Sequence, residues 1–176
     1  MLAFGFQVAP SRSLIHFRRS LMSSSATDDN VSDNPPEGYV PSTTRGPYTT
    51  HNGPFYHKVT EDGFWHGVRI RQRHCNSRGI THGGMLMAFA DGLLGTAVFR
   101  ETKTVALTIR MNSDFLSSAR PGDWLEGTAR VTKATRSVVF CEAELFVGQR
   151  PVMKATGVFK LMSRHKGLDA SEPAAS

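Results

Sequence analysis

Cysteine, long apolar runs and clustered charge are what this 176-residue sequence has least of, and each shortage closes off a class of protein. Cys75 and Cys141 are its two cysteines. They are too few for the disulfide framework of a small secreted scaffold and lack metal-site spacing, which favours a reducing intracellular compartment. No apolar stretch approaches the roughly 20 residues that a bilayer-crossing helix needs, so a soluble protein without a membrane span is expected. Lys and Arg number 21 against 15 acidic residues, a balance of +6. In the middle of the chain the two signs are interspersed, whereas a nucleic-acid footprint would gather the cations on one element, so no nucleic-acid partner is expected.

What remains, 39% hydrophobic over this length, suits one compact domain with a flexible segment at each end. Residues 1–25 hold Arg12, Arg18 and Arg19 among serines, with no acidic residue. That composition fits either a targeting peptide for the mitochondrial matrix or a disordered leader of a cytoplasmic protein, with Met22 as an alternative start. Residues 26–54 carry Pro35-Pro36, Pro41, Gly46-Pro47 and Gly53-Pro54 and read as a flexible arm with no core of its own. Tyr39 and Tyr48, with Phe55 and Tyr56 just beyond, either tack the arm onto the domain or a partner subunit, or belong to a loose tail. The domain is expected over 55–163, with a disordered tail over 164–176.

Within the domain, extended segments are expected over 55–59 and 64–71. After a helix, four more follow over 104–115, 124–133, 137–147 and 152–162, joined by Pro121-Gly122-Asp123, Ala134-Thr135-Arg136 and Gly148-Gln149-Arg150. Over 104–115 the residues Val105, Leu107, Ile109 and Met111 alternate with polar ones, the pattern of a half-buried strand. Consecutive antiparallel strands packed on a single helix define an α+β fold.

The helix is expected from Gly83 or Gly84 to about Phe99, apolar on nearly every side and therefore buried. Asp91 interrupts it in the third turn, where a charged, unpaired carboxylate would cost several kcal/mol. It either bonds a neighbouring backbone group or serves as a general base or nucleophile on a rigid, dry element. At the helix start, His82-Gly83-Gly84 leaves unpaired backbone N–H groups without side chains to cover them, and such an end attracts anions and developing oxyanions. Gly84 and Asp91 are two turns apart, about 10 Å along the axis, so one carbonyl reaches both only if a second copy of the motif comes close.

Asn76, Gly79, His82, Gly83, Gly84 and Asp91 together spell N-x-x-G-x-x-H-G-G-x6-D, which resembles the hotdog-fold acyl-CoA thioesterases of the phenylacetate-degradation type. The resemblance extends loosely over 55–162. It implies an antiparallel sheet wrapped around one long helix and the hydrolysis of an acyl-CoA thioester to free acid and coenzyme A. It implies Asp91 as base or nucleophile, the Gly83 N–H polarising the thioester carbonyl beside Gly84, and Thr108 on the following strand assisting the water. Asn76 would hold the water or the carbonyl, or merely shape the loop; His82 would orient the loop, donate toward the leaving thiolate, or cap the helix. A coenzyme A site at the sheet edge would draw on Arg120, Lys133, Arg136 and Ser137. Coenzyme A arrives as part of the substrate, so no separate cofactor and no metal is implied. Family members form homodimers, also as dimers of dimers, so Asn76, His82 and Gly83 of one subunit would face Asp91 and Thr108 of another.

Other readings compete. Cys75 with His74 or His82 and Asp91 could form a nucleophilic triad, and His66, His74, His82 and Asp91 a metal site, though without the i, i+4 pairing of helical zinc motifs. A hotdog protein that holds acyl-CoA without turning it over, or one that hydrates enoyl-CoA, would share the fold and not the chemistry.

Overall fold

The computed structural model describes residues 32–43, 46–61 and 63–162; the leader over 1–25 and the tail over 164–176 lie outside them. In chain order the elements are β1 (Val40–Pro41), α1 (Pro47–Asn52), β2 (Phe55–Thr60), β3 (Gly63–Arg69), a 3-10 turn (Gln72–His74), α2 (Gly83–Thr102), β4 (Ala106–Phe115), β5 (Trp124–Ala134), β6 (Val138–Val147) and β7 (Arg150–Leu161). The six strands expected from the sequence are present, each bounded close to where the pattern placed it. The short β1 and α1 stand within the stretch whose composition reads as an arm.

All seven strands form one antiparallel sheet in the order β1-β2-β3-β5-β6-β7-β4. This corrects the expectation that consecutive strands are neighbours throughout. α2 touches β4, β5, β6 and β7, so the chain leaves β3, passes over the sheet with the helix and re-enters at the far edge as β4. Residues 116–123 then return it to β5, which pairs with β3. An antiparallel sheet packed on one long central helix is the hotdog fold.

The helix begins where His82 caps it and ends at Lys103, whose φ of 53° is left-handed. Leu86, Phe89, Ala90, Leu93, Leu94 and Val98 are buried against the sheet. Two glycines allow that close approach. A Cβ on Gly127 would stand 2.8 Å from a Leu93 methyl and 2.4 Å from one of Leu145, and one on Gly157 would stand 3.1 Å from Leu94. The opposite side of α2 corrects the expectation of burial all round: Met87 and Phe99 are exposed, Phe99 by 53%. Apolar residues that the sheet cannot reach stay on the surface of the single chain.

β4 departs from simple alternation for a physical reason. Its ladder with β7 slips between Thr108 and Arg110, a bulge that adds a residue and re-aims its neighbours. Ala106 and Met111 pack against the core, and Thr108 also reaches the helix. Val105, Leu107 and Ile109, expected to alternate as a half-buried row, are instead 65%, 56% and 59% exposed.

The end of the arm is tacked down. Tyr39 and Tyr56 are buried with Trp124 in a second cluster, and the Tyr39 hydroxyl donates to Glu126 Oε2 at 2.6 Å. Burial and the Glu126 carboxylate push the Tyr39 phenol well above its ordinary range. Tyr48 is exposed. The C-terminal end of α1 is held by two contacts from the segment leading to the helix. His74 Nδ1 accepts the Arg71 N–H, so its Nε2 carries the proton and donates to the Asn52 carbonyl at 2.9 Å. The Arg73 guanidinium donates to the Gly53 carbonyl. No helix among the described residues is long and apolar enough to cross a membrane.

Candidate active site

Asp91 sits half-buried on α2, and its Oδ1 accepts a 2.7 Å hydrogen bond from the Thr108 hydroxyl. Two predicted site residues, 17 positions apart in sequence, are thus joined within one chain. The bond fixes one carboxylate oxygen with a strong, charge-assisted contact and leaves Oδ2 as an acceptor.

The helix start is organised by His82. Its Nδ1 accepts the Gly84 N–H at 2.9 Å, and its own N–H donates to the His74 carbonyl. His82 is therefore a helix cap, and the N–H of Gly84 is taken by it. The Gly83 N–H meets no acceptor among the described residues. The Phe115 ring lies over Gly83, 3.3 Å from where a Cβ would stand, an apolar wall that nothing in the sequence pattern announces.

Asn76 shapes the loop ahead of the helix. Its Oδ1 accepts the Arg78 N–H at 2.9 Å, its N–H donates to the Ile80 carbonyl and its carbonyl accepts from Gly79, whose φ of +71° suits glycine. The side-chain NH2 of Asn76 is left with donors to offer. Gly83 and Asp91 are eight residues apart, about 12 Å of helix rise, so a single chain does not bring the helix start to the carboxylate.

The predicted phosphate-binding residues divide into two groups. Arg120 follows Ala119, whose carbonyl is bonded by Thr81 just before the helix start, and the Arg120 N–H donates to Asp123. Arg136 and Ser137 stand at the other end of α2, in an open groove shared with Thr102, Lys103, Lys160 and Met162. Lys133 lies nearby on β5. A 20-residue helix spans about 30 Å, so Arg120 and Arg136 do not serve one site within a chain. Lys103 and Lys160 were not singled out from the sequence; each is an ordinary surface cation until the fold places it beside Arg136.

The competing chemistries find no geometry here. Both ring nitrogens of His74 are committed, and Cys75 Sγ donates to the Arg71 carbonyl at 3.5 Å. Burial pushes the Cys141 thiol up to about 11, which keeps it protonated and unreactive near neutrality. His66 packs on the rings of Phe64 and Phe89, His74 faces α1 and His82 caps α2, so these histidines do not converge. Among the described residues no group of three or more His, Cys, Asp or Glu side chains is placed to hold a metal.

A family model described as the thioesterase superfamily matches residues 78–154. The "Putative esterase PA0474" of Pseudomonas aeruginosa is 38% identical over 131 residues, 73% of this chain and 98% of that protein. The chain belongs to the thioesterase superfamily. Acyl-coenzyme A thioesterase 13 of Homo sapiens is 26% identical over 99 residues, 56% of this chain and 66% of that protein. Among solved structures, a hypothetical thioesterase protein of Streptococcus pneumoniae with coenzyme A superposes with a TM-score of 0.57 at 19% identity, covering 61% of this chain and 85% of that one; at that identity it speaks for the fold.

Proposed function

We propose that this thioesterase-superfamily protein hydrolyses an acyl-CoA thioester to the free acid and coenzyme A, as enzymes of the phenylacetate-degradation type do. The observation that carries the reading is the Asp91 carboxylate, held by Thr108 on a helix whose start at Gly83 lies against the Phe115 ring. Asp91 takes a proton from a water, and the water oxygen bonds to the thioester carbonyl carbon. The oxygen of that carbonyl gathers negative charge and is met by the Gly83 N–H at the positive end of the helix. The carbon–sulfur bond then breaks, the thiolate leaves with the proton that Asp91 had taken, and the new acid gives its own proton to solvent and departs as carboxylate. A carboxylate that has lost one acceptor site to Thr108 has a defined oxygen left to hold the water.

Names among the relatives and neighbours support acyl-CoA as the substrate class: one is an acyl-coenzyme A thioesterase, another was solved with coenzyme A. In this chain the phosphates of the nucleotide would meet Arg136, Ser137, Lys103 and Lys160, with Lys133 beside them. Asp91 to Thr102 is eleven residues, about 16 Å of helix rise, a length that an extended pantetheine arm bridges. We further take the active unit to be a homodimer, because the Gly83 N–H of one chain and Asp91 of another must share a carbonyl.

The test is thiol release from acyl-CoA, with the KM measured at low and high salt. Catalytic release of coenzyme A is expected, and its KM should rise with ionic strength more than the KM of a truncated acyl thioester lacking the nucleotide. No catalytic thiol release would overturn the hydrolase reading, and parallel salt responses would remove the phosphate site.

A further inference from the structure

The loop that carries Asn76 and ends at the helix start is closed on itself. Cys75 and Thr81 form an antiparallel bridge across it, the Asn76 N–H donates to the Ile80 carbonyl, and the His82 N–H donates to the His74 carbonyl at 2.9 Å. A loop closed in this way shifts as a unit, so its place on the domain is set by the bonds that leave it. On one side the buried Thr81 sends both its N–H and its hydroxyl to the Ala119 carbonyl, at 2.8 and 2.9 Å. On the other side the His74 ring, only 2% exposed, donates to the Asn52 carbonyl at the end of α1. We infer that His74 is a positioning residue for the thioester site: its Nε2–H docks the Asn76 loop on α1, and its backbone carbonyl holds His82 and thereby the direction of the Gly83 N–H. The inference rests on the hydrolase reading and deepens it with a residue that touches no substrate.

The two ring nitrogens do different work. A buried imidazole costs free energy unless its polar atoms are bonded, and both are. Nδ1 accepts the Arg71 N–H at 3.1 Å, a bond between residues three apart that shapes only its own turn. The Nε2 bond, 2.9 Å long, spans 22 positions and joins two elements. From there the helix start is two links away. The His74 carbonyl holds the His82 N–H, and His82 Nδ1 accepts the Gly84 N–H at 2.9 Å. Releasing the ring from α1 therefore loosens the cap and re-aims the N–H next to it, and a misplacement of about 1 Å costs about 10²-fold in rate. Substitution replaces one nitrogen at a time. In His74→Gln the amide nitrogen stands where Nε2 stood, so the donor to Asn52 is kept. In His74→Asn the amide oxygen stands where Nδ1 stood, so the acceptor for Arg71 is kept and the reach to α1 is lost.

The experiment compares the full wild-type chain with both variants by acyl-CoA kinetics, thermal melting and amide hydrogen exchange. His74→Asn is expected to lower kcat by about tenfold or more while KM changes by less than about twofold, and His74→Gln to keep most of the wild-type kcat. In His74→Asn the His82 and Gly84 amides should exchange at least about tenfold faster, while the amides of β6, inside the sheet, keep their protection. Wild-type turnover by the folded fraction of His74→Asn, equal losses in the two variants, or exchange that speeds uniformly through loop and sheet would overturn the inference. The wild-type protein alone supplies a further check: nitrogen-15 spectra should show the His74 ring proton on Nε2, and a proton on Nδ1 would overturn the inference even if neither variant folds. Hydrogen exchange needs no turnover. If the wild type releases no thiol but the local exchange pattern and its reversal by Gln hold, the hydrolase reading falls and the hold of His74 on the helix start stands. If thiol is released and the helix-start amides ignore both variants, the inference falls and the hydrolase reading stands.

Discussion

The hydroxyl of Thr108 and the carboxylate of Asp91 make the one polar side-chain pair that α2 forms with the sheet among the described residues, and the hydrolase reading turns on it. A threonine on a strand ordinarily signifies only strand propensity; this one is aimed at the helix by the bulge that follows it. Asp91→Asn keeps the volume and removes the base, so kcat should fall by at least about 10²-fold with a nearly unchanged melting temperature. Thr108→Val keeps the shape and removes the donor to a charged acceptor, so kcat should fall by about tenfold, with KM little altered; Thr108→Ser should restore most of it. Steady-state kinetics beside thermal melting separate these outcomes from loss of fold. Wild-type turnover in Asp91→Asn would remove the base, and wild-type turnover in Thr108→Val would leave that residue a structural one.

At the scale of elements, the position of α2 depends on side chains that are missing. Gly127 on β5 admits Leu93 and Leu145 to space that a Cβ would occupy, with the Glu144 carbonyl 2.8 Å away as a backbone atom that cannot rotate aside. Gly127→Ala should therefore destabilise the fold by about 1–3 kcal/mol through overpacking, measured by denaturant melts, while an equally stable variant would mean that helix and sheet separate more easily than their contact suggests. The helix, its start at Gly83 and the six long strands were legible in the sequence because apolar periodicity and the turn residues repeat the same message. The crossing that puts β4 at the far edge was not, since strand order is set by where the helix delivers the chain and leaves no local signature. α1 was masked by its surroundings: Pro47 at a helix start is favourable, but the prolines and glycines on either side of the segment read as an arm. The capping role of His82 was visible as one of three options, and only the contact from Gly84 selects it.

At the scale of the whole molecule, the described residues expose apolar side chains along β4 and on α2. β4 is an edge strand ten residues long, whereas the opposite edge, β1, has only two. Long edges with apolar side chains invite pairing with another chain, and Val105, Leu107 and Ile109 on this edge are exposed, as is Phe99 near the end of α2. A two-fold dimer would cover such surfaces and, by symmetry, create two equivalent sites, each drawing Asn76, His82 and Gly83 from one subunit and Asp91 with Thr108 from the other. The motif spacing hinted at this because about 12 Å of helix separates Gly83 from Asp91, but a sequence holds no copy of its partner. Co-refolding inactive Asp91→Asn chains with inactive Asn76→Ala chains tests it. A mixed dimer then carries one site with both defects and one with neither. Random assortment makes half the dimers mixed, and half their sites are intact, so roughly a quarter of wild-type activity should return. A mixture that stays as inactive as its parents, with subunit exchange demonstrated by differently tagged chains, would show that each site is built within a single chain.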